Sequence, residues 1–313
     1  MAKRTGTLEG LLSKLSLGKP RTSGSLTVVP VLGNGRVPVK VLTVDEALAN
    51  NLIEITETSE LGHVPELLVR NDADLPILIL DGEEVVGAKQ NRILNVTVLI
   101  APKSKTVIPV SCVEQGRWHY RSRQFETGGF MAFPELRVSK LRSVTSSLRE
   151  CSVPRSDQRE IWNTVECTLE GMGVDSATGA MHAAYRAFRE SIEELANKLE
   201  PLEQQRGHVA FVAGRMVGTD VFHDSALYAG NCRKLIRSYA LDVAARQPDG
   251  TQTDGTMLRK AALFLENAKA ANTEVFDSIS LGEDHRVETR HVEGSALEYG
   301  GTFLYGVLFP ARE

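Results

Sequence analysis

"LDGEEVVGAKQNRILN", residues 80–95, is the stretch from which the fold is read. An apolar run, Pro76-Ile77-Leu78-Ile79-Leu80, precedes it, meets an Asp81-Gly82 turn signal and is expected to return as the second strand of a hairpin. The return carries Glu83, Glu84, Lys89, Gln90, Asn91, Arg92 and Asn95 in quick succession, all groups that are costly to bury. Strand alternation sends Lys89 and Asn91 to one face and Gln90 and Arg92 to the other. Glu83 and Glu84 also point oppositely, so at most one of them enters a given site. Gly87 marks a bulge or a close backbone approach that would re-aim part of the set. The plainer reading of the run is an edge strand with a solvated polar face.

Short strand candidates continue on both sides: "SLTVVPVL", "NLIEITET" and "PELLVRND" before it, "RILNVTVLI" and "TVIPVSCVE" after it, with turn signals between. Such density predicts an antiparallel β sandwich or barrel over residues 25–115, with "VDEALANN" as an inserted helical turn. After a polar, Gly-containing transition at 116–134, helical periodicity takes over from 135 to 271. "RSDQREIWNTVECTLEGMG" starts at a Ser156 capping candidate, and "ATGAMHAAYRAFRESIEELANKLEP" reads as one long helix. "SALYAGNCRKLIRSYALDVAARQ" and "TMLRKAALFLENAKAA" read as two more. "HVAFVAGRMVGTDVF" interrupts this block as a hairpin turning at Gly214-Arg215, and residues 273–309 read as three or four antiparallel strands. The expected class is therefore α+β, with residues 25–313 as a single compound domain after an N-terminal helix and arm at 1–24. In that arm Leu8, Leu11, Leu12 and Leu15 follow helical spacing and are expected to dock on the protein's own core.

Composition narrows the function classes. At 313 residues, a net charge of −4 and 42% apolar content, the chain is an ordinary globular protein with no global attraction to nucleic acid or anionic lipid. No apolar run approaches the roughly 20 residues of a bilayer span. Cys112, Cys151, Cys167 and Cys232 are scattered without a C-x-x-C pair, which suits reduced thiols and a cytoplasmic location. A monomer and a homo-oligomer both remain open. Phosphate-loop, dinucleotide-fingerprint, zincin, EF-hand and nucleophile-elbow signatures are all missing from the sequence.

Three polar concentrations remain. Lys89 and Arg92 suit phosphate or carboxylate, and Gln90, Asn91 and Asn95 suit a base or ribose. "SCVEQGRW", residues 111–118, adds Ser111, Glu114, Arg117 and Trp118 where a strand meets an irregular segment. Glu114 or Glu84 would serve as acid–base, and Trp118 would stack on a base or cap the core. Cys112 lacks an adjacent His and reads as structural. Antiparallel pairing about "APKSK" would set Asn95 near Ser111 and Arg92 near Glu114. The third concentration, "GTDVFHDS", offers Asp220 and His223 as a weak divalent-metal pair, while Asp224-Ser225 reads as a helix cap.

Taken together, "LDGEEVVGAKQNRILN", "IPVSCVEQGRW" and "GRMVGTDVFHD" resemble the ARPP family, a domain associated with ADP-ribosylglycohydrolases and rhodanese-like phosphatases. The resemblance covers residues 25–309. It implies a link to NAD or ADP-ribose metabolism by association and carries over no catalytic residue. Two classes of function follow: a protein that binds and hydrolyses an NAD-derived or ADP-ribose-like nucleotide, or a non-catalytic nucleotide-sensing or protein-interaction module. A purely structural subunit is the third.

Overall fold

The computed structural model describes residues 4–35, 39–245 and 255–311. They mix helices with mostly antiparallel sheets, an α+β protein. Among them no helix is long and apolar enough to cross a membrane. The chain groups into two compact units, one built from residues up to 39, 190–278 and from 282 onward, the other from 40–189 with 279–281.

The first unit holds a ten-stranded sheet. The C-terminal strands Asn272–Asp277, Glu283–Glu288, Val292–Tyr299 and Thr302–Pro310 run into Arg215–Phe222 and Gln205–Val212, and these into Leu26–Leu32. The late strands therefore extend the sheet that the earliest apolar strand begins. The hairpin turns one residue earlier than its sequence suggests, at Ala213-Gly214, both with positive φ. Ser225–Ala244 and Thr256–Lys269 form the two expected helices, and Asp224 caps the first by accepting from Ala226 N at 2.7 Å and Leu227 N at 3.2 Å. Leu8, Leu11 and Leu12 are buried with Val29, Phe211, Phe264 and Leu308, so the short helix Glu9–Leu12 docks on its own core.

The second unit holds the opening stretch. Its six-stranded sheet runs Phe125–Met131, Glu83–Gly87, Arg92–Leu94, Ser104–Cys112, Glu66–Asn71, Ile53–Glu57. A second sheet joins Val98–Ile100, Ile77–Ile79 and Leu42–Thr43, the last pairing being parallel. Val44–Ala49 is the inserted helical turn, closed by a capping box between Thr43 and Glu46.

Asp81-Gly82 does not close a hairpin. Ile77–Ile79 pairs with 98–100 and 42–43, whereas Glu83–Gly87 pairs with 92–94 and 125–131. The turn, with Gly82 at φ +80°, instead passes the chain from one sheet to the other. The reason lies in the side chains. Ile77, Leu78, Ile79 and Leu80 are all buried, so this run needs apolar neighbours that the Glu- and Lys-bearing return cannot supply.

The pairing about "APKSK" is corrected for the same reason. Val98–Ile100 joins the apolar sheet, and only 92–94 pairs with 110–112. Arg92 lies opposite Cys112 and Ile93 opposite Ser111, two residues from the expected register. The bend at Asn95–Thr97 that changes sheets takes up the difference. Three further expectations change. The long helix of residues 177–201 is two, His182–Ala187 and Arg189–Asn197. Asp157 rather than Ser156 caps Gln158–Gly171. The 116–134 transition contains the strand Phe125–Met131.

Candidate functional site

The polar run is not a solvated edge. Arg92, Glu84 and Asn91 are at most 3% exposed, and Gln90 and Lys89 are also buried. Charges this deep must be paired and hydrogen-bonded, and the partners come from the 111–118 segment.

Gly87 makes the junction. Its φ is +126°, and a Cβ there would sit 2.6 Å from Ser122 Oγ and 2.8 Å from Gln124 O. Ala88 follows, also at positive φ, and its backbone holds the following loop: Ala88 N donates to Ser122 Oγ at 3.0 Å and Arg121 N to Ala88 O at 2.9 Å. The close approach expected at Gly87 thus ties the loop 116–124 to the strand.

Glu114 and Arg117 are the hub. One Glu114 oxygen accepts from Arg117 Nη2 at 2.6 Å and Asn91 N at 3.1 Å, and the other from Thr178 Oγ1 at 3.0 Å. Arg117 also donates to the Ala88, His119 and Gly87 carbonyls and to Asn91 Oδ1. Burial alone would raise the Glu114 pKa. The bonds from Arg117, Asn91 and Thr178 outweigh it and hold the carboxyl below its ordinary range. A carboxylate so fixed is a poor proton acceptor. It anchors the loop.

Arg92 lies beside this hub. Its Nη1 donates to Gln90 Oε1 at 2.9 Å, and Nη2 stands 4.0 Å from Glu57 Oε1. Burial pushes its pKa down, opposed by Cys112 and Glu57. The guanidinium faces the Trp118 ring at 5.7 Å, and Lys89 Nζ lies 5.2 Å from the Trp118 centroid and 5.0 Å from that of Tyr120. Trp118 and Tyr120 themselves are 46% and 45% exposed, two planar rings open to solvent above buried cations.

Glu84 is fully buried and faces a residue that the sequence reading passed over. Its Oε2 lies 2.9 Å from His182 Nδ1, whose side chain is 26% exposed. The other oxygen, Oε1, has no hydrogen-bond partner among the described residues. Burial raises the Glu84 pKa, against the pull of His182. The bond to Glu84 raises that of His182, against burial and the charges of Arg186 and Arg121. The two groups hold protons as a coupled pair. His182 opens the helix His182–Ala187, and Phe130 packs edge-on against its ring at 5.5 Å. Nothing in "ATGAMHAAYRAF" marks this histidine, because its partner is 98 residues away.

The remaining candidates do not join this group. Ser111 donates to Asn95 Oδ1 at 2.5 Å and contacts Ser156, Asn95 donates to Pro154 O, and Lys140 bonds both Asn95 O and Asp81. Together they tie the helix Pro134–Cys151 and the segment after it to the strands. Cys112 is buried, with backbone N and O both bonded to Gln158 at 2.8 Å. A hollow of about 200 Å³ beside Thr178 is lined by Trp162, Glu166, Glu170 and Asp175, a poor match for an anionic ligand.

Asp220 and His223 belong to the first unit. Asp220 accepts from Tyr239 at 2.7 Å and Tyr305 at 2.5 Å, and its Oδ2 stands 3.6 Å from His208 Nε2. Burial and Arg206 push the His223 pKa down. Neither residue is in the group of three metal-type ligands found among the described residues.

The family model described as the ARG and Rhodanese-Phosphatase-superfamily-associated Protein domain matches residues 14–309. The chain belongs to that family. No curated protein and no solved structure matches it.

Proposed function

We propose that this protein binds an NAD-derived or ADP-ribose-like nucleotide and hydrolyses it at the face where His182 meets the loop 116–124. One observation carries the reading: an accessible imidazole whose Nδ1 is held at 2.9 Å by a carboxylate with no solvent exposure. That pair is suited to move a proton at neutral pH, with Nε2 as the atom that meets the ligand and Glu84 as the positioning group behind it.

The surroundings agree in chemistry. Arg121 and Arg186 are exposed and close enough to act on the charge of His182, which favours an anionic ligand such as a diphosphate. Trp118 and Tyr120 offer faces on which a base can stack, with Lys89 beside both rings. Arg92, Gln90, Asn91, Glu114 and Arg117 hold these elements in place rather than grip the ligand. The association of the family with ADP-ribosylglycohydrolases supports the substrate class. The four unpaired cysteines support a cytoplasmic location.

The second reading, a non-catalytic sensor or interaction module, draws on the internal bonding of the Glu114–Arg117–Asn91 cluster, which gives rigidity without chemistry. Incubating the purified chain with NAD and with ADP-ribose, with and without divalent metal, separates the two when binding and product are both measured. Turnover supports the hydrolase, saturable binding without product supports the sensor, and neither would overturn both.

A further inference from the structure

Arg206 is 2% exposed, and among the described residues no carboxylate forms an ion pair with it. Its Nε donates to Phe222 O at 2.9 Å and its Nη2 to Leu11 O at 3.4 Å, while Nη1 has no hydrogen-bond partner among the described residues. Asp224 acts on the guanidinium only from beyond ion-pair range. A buried cation is ordinarily paired, so this one points to an anion that the chain itself does not supply.

The sheet register gathers three segments around it, all within the first unit. Arg206 lies near the start of Gln205–Val212, and the flanking strands Leu26–Leu32 and Arg215–Phe222 both end there, Leu32 opposite Gln205 and Val221 opposite Gly207. The first runs into Gly33-Asn34-Gly35, the second into His223-Asp224 and the helix Ser225–Ala244. Glycine lets the two ends meet. A Cβ on Gly35 would stand 1.8 Å from His223 O and 3.1 Å from Arg206 Cζ, and one on Gly33 would stand 3.3 Å from Arg206 Nη1.

The guanidinium thus lies against two walls of a hollow of about 270 Å³ lined by Gly33, Asn34, Gly35 and Ser225. Among the described residues, the backbone N–H groups of Asn34, Gly35 and Ser225 make no backbone hydrogen bond. Ser225 opens a 20-residue helix, whose dipole and free N–H groups favour an anion at that end. His223 adds a buried Nδ1 without a partner among the described residues. One group opposes. The Asp224 carboxylate caps the helix through Ala226 N and Leu227 N, and leaves the N–H of Ser225 to the hollow.

We propose that Gly33–Gly35, the N-terminus of Ser225–Ala244 and Arg206 form a binding site for a phosphate group. Three backbone N–H groups, a hydroxyl and a guanidinium nitrogen are more donors than the two oxygens of a carboxylate would use. The phosphate is either free or the ester of a small ligand. The site belongs to the first unit and the His182 face to the second, so neither proposal rests on the other.

The test is titration of the full chain with inorganic phosphate and with AMP, read from the amide resonances of Asn34, Gly35 and Ser225. Sodium chloride at matched ionic strength is the control. The wild type should show saturable shifts at these amides, and the tighter of the two probes tells free oxyanion from ester. Ser225→Ala should weaken binding about threefold to tenfold. Asp224→Asn keeps a capping side chain and removes the opposing charge, so it should tighten binding about threefold or more. Arg206→Gln should weaken it at least about tenfold; should that variant not fold, the opposite changes in the other two decide. Shifts reproduced by chloride alone, or an affinity unmoved by Ser225→Ala and Asp224→Asn, would overturn the proposal.

Discussion

Replacing Glu114 with alanine separates a carboxylate that holds a loop from one that does chemistry. Three hydrogen bonds disappear, from Arg117 Nη2 at 2.6 Å, Thr178 Oγ1 at 3.0 Å and Asn91 N at 3.1 Å. Breaking a buried ion pair by removing one partner costs about 3–5 kcal/mol, because the other charge stays buried. Arg117 keeps four acceptors, the Ala88, His119 and Gly87 carbonyls and Asn91 Oδ1, so the guanidinium is still solvated by dipoles. The expected loss is therefore at the lower end, about 3 kcal/mol. Thr178→Val, which removes one neutral donor from the same carboxylate, should cost about 1 kcal/mol. Both tryptophans, Trp118 and Trp162, lie in the unit of residues 40–189. Urea unfolding followed by tryptophan fluorescence thus reports on the unit that carries the mutation. A Glu114→Ala loss below about 1 kcal/mol would refute the reasoning, since a buried carboxylate with three donors cannot then be holding the loop.

Glu84 and His182 both have folded-state pKa values above their ordinary ones, so the folded pair holds more protons than the unfolded chain. The stability they contribute is full at acid pH and falls as pH rises through the raised values, with a slope of at most about 1.4 kcal/mol per pH unit per proton. Glu84→Gln, which imitates the protonated acid, should flatten this decline in urea titrations across pH 5–8, and an unchanged slope would count against the coupling. Gly87→Ala must adopt φ +126° and displace Ser122 and Gln124, which costs about 1–3 kcal/mol and frees the loop bearing Trp118; blue-shifted and unquenched Trp118 emission would argue otherwise. A thiol reagent should label the exposed Cys151 and Cys167 in the native protein and reach buried Cys112 and Cys232 only after unfolding. Burial pushes the Cys232 thiol up to about 11, which adds to its protection.

Local signals carried much of this fold. The helices at 225–244 and 256–269, the Asp224 cap and the hairpin before it follow from periodicity and cap residues close in sequence. Gly87 was legible because only a strained or crowded backbone calls for glycine inside a strand. What failed was pairing. Whether Ile77–Ile79 faces Glu83–Gly87 or Val98–Ile100 depends on which sheet buries both its faces, and the strand's own residues do not encode that. The site divided along the same line. Arg92, Asn91 and Glu114 drew attention as a dense polar run and do cluster, but mostly with one another. His182 stands alone in an alanine-rich segment, and its significance exists only beside Glu84.

The most direct test of the central claim is the pH–rate profile of ADP-ribose and NAD hydrolysis by the wild-type chain, His182→Ala and Glu84→Gln, each first shown to be folded by circular dichroism. The account predicts a wild-type profile governed by an ionisation above the ordinary histidine range. It also predicts a loss of turnover of at least about 100-fold in His182→Ala, and for Glu84→Gln a profile shifted toward the ordinary histidine value. Turnover in folded His182→Ala within a few-fold of wild type, with the same pH dependence, would contradict it.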